Sequence, residues 1–142
     1  MTSAPAMLDT YPADIGALGA EHRQVLLRVI EHTLECAQAC TACADACLRE
    51  SDVEDLRACI RLNLDCADIC ETTARVLSRH TGFDANLARA TLEACAQACR
   101  SCGDECARHA AMHEHCRVCA DACRRCEKAC HELIAALGVM AA

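Results

Sequence analysis

The stretch CAQACTACADAC places Cys36, Cys40, Cys43 and Cys47 at steps of four, three and four residues, the spacing that keeps side chains on one face of a helix. A second copy, CAQACRSCGDEC, carries Cys95, Cys99, Cys102 and Cys106 at the same steps. Two more stripes complete the set, one of Cys59, Cys66 and Cys70, the other of Cys116, Cys119, Cys123, Cys126 and Cys130. Asn63 fills the one gap, four residues after Cys59 and three before Cys66. These are a/d seams made of sulfur.

Such seams admit three readings. Buried cysteine can act as a small hydrophobe, but one or two such positions are ordinary and 16 in register are not. Disulfide stapling fits poorly, because helical neighbours at i, i+4 sit about 5–6 Å apart at Cβ whereas a disulfide wants about 3.8 Å. The same separation suits a metal ion held between two thiolates. Zinc sites are usually four-ligand islands and iron–sulfur clusters use compact sets of four cysteines, while these ligands line a continuous tube. Thiolate-only ligation favours Cu(I), and a tube favours many ions over one.

The elements that carry the thiols are helices. Ala, Leu, Arg and Glu dominate from about residue 20 onward, and the two prolines, Pro5 and Pro12, fall in the N-terminal stretch, so residues 1–20 read as a tail and 21–142 as one bundle. Three breaks divide the bundle into helices of about 21–49, 52–79, 85–108 and 113–137. Ser51-Asp52-Val53-Glu54 matches a capping box starting the second helix near Asp52. Thr81-Gly82-Phe83-Asp84 is a turn with an N-cap at Asp84. The third break lies near Arg108 to His115. The cysteine pattern repeats at an offset of 59–60 residues, so the unit is a helical hairpin present twice. The expected fold is all-α, an antiparallel up-down-up-down four-helix bundle with a Cys-lined core.

The seams end differently in their two directions. One way they continue through Leu26, Val29, Thr33, Thr73, Leu77, Leu92, Leu133 and Leu137, an aliphatic plug. The other way they reach His109, Met112, His113 and His115, a mouth of imidazole and thioether. Cys47, Cys59, Cys106 and Cys116 are expected nearest this mouth, and Cys36, Cys70, Cys95 and Cys130 deepest. Asn63 reads as a polar residue that fixes helix register, Met112 equally as ligand or core cap, and His22, His32, His80 and His131 as surface residues.

Composition narrows the function. There is no Trp, one Phe and one Tyr, so cysteine must supply much of the interior. The start, MTSAPAMLDTYPADIG, has neither a basic nor an apolar signal region, and no run approaches a membrane span. The expected location is the reducing cytoplasm, where thiols stay free. A net charge of −7 without basic blocks argues against nucleic-acid binding. No acid–base pair, phosphate loop or oriented nucleophile marks an enzyme. A thiol redox or iron–sulfur electron-transfer protein, or a zinc buffer, remains the alternative.

From about Glu35 to Leu137 the chain resembles the bacterial copper storage proteins, in their cytosolic branch. The resemblance is carried by CADACL at 43–48, CIRLNLDCADIC at 59–70 and HEHCRVCADAC at 113–123. It implies a four-helix bundle holding many Cu(I) ions, a homotetramer, and a role for His109, His113 and His115 in copper uptake and release. One departure is Val29 and Thr33, where relatives carry further cysteines, which implies a smaller store at the closed end. Ile60, Leu62, Leu64 and Ile69 give the second helix more apolar surface than one bundle seam uses, as an oligomer would need.

Overall fold

The computed structural model describes residues 2–141, and helix is its only regular secondary structure among them. Four long helices form the body: α3 (Arg23–Arg49), α4 (Arg57–Leu77), α5 (Ala85–His109) and α6 (Glu114–Ala141). They pack in a ring, each against the next and α6 back against α3. Sulfur pairs give the directions. Cys59 of α4 meets Cys106 of α5 at 3.5 Å, and Cys70 meets Cys95 at 3.8 Å, so early residues of one helix lie beside late residues of the next.

The stretch read as a tail is partly helical. It forms α1 (Ala4–Asp9) and α2 (Ala17–Ala20), and Pro5 assists because a proline in the first helical turn gives up no needed N–H. This segment is tied to the aliphatic end of the bundle. Leu18 is buried, Arg23 pairs with Asp9 at 2.8 Å, and the Tyr11 and Thr81 hydroxyls share a 2.7 Å hydrogen bond. Met1 and Ala142, the outer limits of the two expected ranges, lie outside the described residues.

Of the two cap expectations, one holds and one does not. Asp84 caps α5 by accepting from the backbone N–H groups of Asn86 at 3.0 Å and Leu87 at 3.1 Å, and Gly82 takes the left-handed φ of +67° that its turn requires. The box at Ser51–Glu54 does not close. A single 3₁₀ turn occupies Val53–Leu56, α4 begins at Arg57, and Asp52 makes no side-chain cap bond. Its carboxylate is engaged by a histidine 61 residues away, and that bond replaces the cap.

The core has two chemistries. Leu26, Val29, Leu77, Leu92, Leu133 and Leu137 are at most 1% exposed and fill the end joined to α1 and α2. Thr33 and Thr73, also fully buried, donate their hydroxyls to carbonyls one turn back in their own helices, at 2.7 Å each. Each hydroxyl is therefore satisfied within its own helix, and neither threonine leaves an unmet polar group in the plug. Beyond it, every side chain on the bundle axis is a thiol until Asn63.

A thiol tube and its histidine mouth

All 16 cysteines are free and buried. Their sulfurs lie in touching sets. Cys70, Cys95, Cys99 and Cys126 are mutually within 4.8 Å, as are Cys36, Cys66, Cys70 and Cys99, then Cys36, Cys40, Cys66 and Cys123, and then Cys40, Cys102, Cys119 and Cys123. Cys130 adjoins Cys95 and Cys126 at the plugged end. Because successive sets share members, the sulfurs make a column and not separate islands. Neighbouring sulfurs stand 3.5–3.9 Å apart, well beyond the S–S bond length of about 2.05 Å.

Asn63 interrupts the column with oxygen. Its Oδ1 accepts from the thiols of Cys102 at 2.9 Å, Cys119 at 3.0 Å and Cys106 at 3.5 Å, while its Nδ2 points at Cys59 at 3.6 Å. Every polar atom of this buried amide is thereby met, as a buried polar group requires.

At the end opposite the leucines Cys43, Cys47, Cys59 and Cys116 form another set within 4.8 Å. Cys106 lies beside it, 3.5 Å from Cys59. Cys43 belongs to this group although its stripe position alone did not place it there. The Nδ1 of His115 is 3.4 Å from the Cys43 sulfur and 3.6 Å from that of Cys116. His115 therefore touches the tube directly. His113 stacks on it with ring centroids 5.5 Å apart, and Leu56, the residue before α4, is fully buried.

Carboxylates hold each mouth histidine. His109 Nε2 lies 2.8 Å from Glu105. His113 is gripped at both ring nitrogens, Nδ1 by Glu50 at 3.0 Å and Nε2 by Asp52 at 2.9 Å. His115 Nε2 meets the same Glu50 at 2.8 Å. The Asp52 hydrogen bond raises the pKa of His113, and that of Asp52 falls in return. Burial opposes ionisation of His115, but its bonds to Cys43 and Glu50 outweigh it and raise its pKa. Glu105 lies four residues from His109 and is readable from that spacing, whereas Glu50 and Asp52 are not evident in the sequence, since the histidines they hold lie 61 to 65 residues away. Met112 is 74% exposed in the turn between α5 and α6 and neither caps the core nor joins the thiols. Of the other histidines, His131 is exposed, while His22, His32 and His80 are partly buried outside the tube.

The thiols differ in acidity along the mouth. Hydrogen bonding from Cys106, then from Cys59 and His115, draws Cys43 down to about 6. Burial pushes Cys47 up to about 11 and also raises Cys116. A buried column of adjacent thiols cannot ionise as a whole without cations among the sulfurs, because like charges at such distances repel strongly. The empty tube thus stays largely protonated, Cys43 excepted, and soft cations among the sulfurs would let the rest of the column ionise.

Comparison with known proteins agrees with this chemistry. The family model described as copper storage protein matches residues 22–135. Ccsp of Streptomyces lividans, a copper storage protein solved with 10 copper equivalents, is 64% identical, with 93% of this chain and 98% of that chain covered and a TM-score of 0.89. Another structure of that protein, described as cytosolic and carrying five coppers, is 67% identical over 82% of this chain and 98% of that one, with a TM-score of 0.81. The Cu(I)-bound copper storage protein BsCsp3 is 36% identical, covering 73% of this chain and 92% of its own, with a TM-score of 0.66. An uncharacterised cysteine-rich protein of Bacillus subtilis, YhjQ, is 37% identical over 75% of this chain and 93% of its own length.

Proposed function

Because the chain belongs to the copper storage protein family, we propose that it stores many Cu(I) ions along its thiol column and so keeps them from reacting elsewhere in the cytoplasm. The observation that carries this reading is the overlap of the sulfur sets. Thiolates shared between neighbouring sites must bridge ions, and soft, low-coordinate Cu(I) suits bridging thiolates. Charge favours the same ion. One monovalent cation per thiolate leaves the buried tube neutral, whereas a divalent ion held by four thiolates leaves two negative charges in a dry interior, at high cost.

Asn63 has a part in this scheme. Copper displaces the protons of Cys102 and Cys119, so Oδ1 loses the donors it has at 2.9 and 3.0 Å. An adjacent cation then replaces them as the partner of that oxygen. The two ends divide the labour. Ions cannot cross the leucine plug without their ligands, so traffic passes His109, His113 and His115, and of these the ring of His115, whose Nδ1 faces the thiols, would hold Cu(I) less firmly than bridging thiolates do. The role is storage without catalysis, in a homotetramer that would cover the exposed Leu64, while Ile60, Leu62 and Ile69, expected to share that surface, pack partly against the bundle's own core.

Reduced apoprotein mixed anaerobically with excess Cu(I) and desalted tests the reading. A colourless protein that retains many coppers per chain and gains ultraviolet thiolate-to-copper bands supports it. A brown protein as isolated, with iron and sulfide, would establish the electron-transfer alternative instead.

A further inference from the structure

We propose that Glu50 is the positioning residue of the mouth: its carboxylate anchors the Nε2 side of His115 so that Nδ1 faces the thiols of Cys43 and Cys116. The inference rests on the copper-storage reading but concerns a carboxylate that lies outside the column.

The geometry is specific. A carboxylate oxygen only accepts hydrogen bonds, so the ring atom 2.8 Å from Glu50 must carry its proton on Nε2. The opposite nitrogen, Nδ1, then faces sulfur at 3.4 and 3.6 Å, where in the neutral ring its lone pair is free to take an ion. A carboxylate behind a ligating histidine fixes both the ring orientation and the nitrogen that binds the metal. Were the ring to flip, Nε2 would be offered to the tube from a different reach and the bond to Glu50 would be lost.

Glu50 is itself held in place. It is the residue that ends α3, in extended conformation, and its backbone N–H donates to the carbonyl of Cys47 at 3.2 Å. The carboxylate is thus attached to the same turn as a mouth thiol. The oxygen that receives His115 also lies 3.0 Å from His113 Nδ1, so one acceptor atom sets the two stacked rings relative to each other.

The test is a long-range ¹H–¹⁵N correlation spectrum of the full-length protein, recorded with and without Cu(I), on wild type, Glu50→Ala and Glu50→Gln. Wild type should show His115 with Nε2 protonated and the copper-dependent shift on Nδ1. Glu50→Gln, whose side-chain oxygen still accepts one hydrogen bond, should keep that pattern. Glu50→Ala should lose it, giving mixed or reversed nitrogen signals, and should bind the first coppers about 10-fold or more weakly, the usual effect of removing such a partner. An unchanged His115 pattern and affinity in Glu50→Ala would overturn the proposal. A copper shift on Nε2 in wild type would overturn it too, even if the alanine variant failed to fold. Wild-type protein that took up no copper would instead refute the storage reading.

Discussion

The thiol of Cys102 donates to the Oδ1 of Asn63 at 2.9 Å, although the two residues lie on different helices and the amide stands where the stripe calls for a cysteine. Cys119 approaches the same oxygen from a third helix at 3.0 Å. One amide therefore ties α4, α5 and α6 together at the middle of the column. Asn63→Ala leaves these thiols without their acceptor and should cost the apoprotein about 1–3 kcal/mol, measured by chemical denaturation. Copper-loaded protein should lose less, because bridging ions then hold the three helices.

Acidity should separate empty from loaded protein. The pKa of Cys47 is raised from 9.0 to about 11, so its burial as a neutral thiol contributes stability that is complete below pH 9 and is lost as pH rises toward and through 11. Cys43 is lowered from 9.0 to about 6, so its contribution is complete above pH 9 and is lost as pH falls through 6. Apoprotein should accordingly destabilise in the alkaline range, while copper-loaded protein, its thiolates already formed, should not. Loading displaces protons, so apparent Cu(I) affinity should fall with pH. Melting temperatures of both forms across pH 5–11 would check the signs.

The leucine plug should govern folding and not capacity. Leu77 and Leu133 are fully packed at the closed end, and truncating either to alanine should cost about 2–5 kcal/mol. Copper stoichiometry of the folded variants should match wild type. A plug variant that stayed stable yet lost several coppers would show that storage extends into that end.

Much of this was legible because it is local. Steps of three and four put each stripe on one helical face, and the aliphatic continuation of those stripes located the plug. The Asp84 cap was readable for the same reason, since its partners are two and three residues away. Part of what escaped depends on partners distant in sequence. Asp52 sits in a local capping pattern, yet His113 takes its carboxylate from the far side of the bundle. Glu50 offers no local sign that it serves two histidines. Met112 was placed by register at the seam, but the chain leaves helical geometry at Ala110–His113 and register no longer decides which way a side chain faces. The short helices before residue 21 escaped because six and four residues are too few to show a period.

The mouth histidines should control rate more than amount. Replacing His109, His113 and His115 together by alanine leaves all 16 thiols in place, so total capacity should change little. Loading, and removal by a chelator, should each change in rate, as stopped-flow absorbance would record. Capacity falling by half at unaltered rates would show that the histidines are storage ligands.

The central claim is that one bridged column holds many ions. An anaerobic titration of reduced apoprotein with Cu(I), in competition with a chromophoric chelator, measures this directly. If each bridging thiolate is matched by about one ion, the chelator should remain uncoloured until roughly 12–20 equivalents per chain have been added. Saturation at one or two equivalents would contradict the account, because the thiols would then form an isolated site within an otherwise inert core.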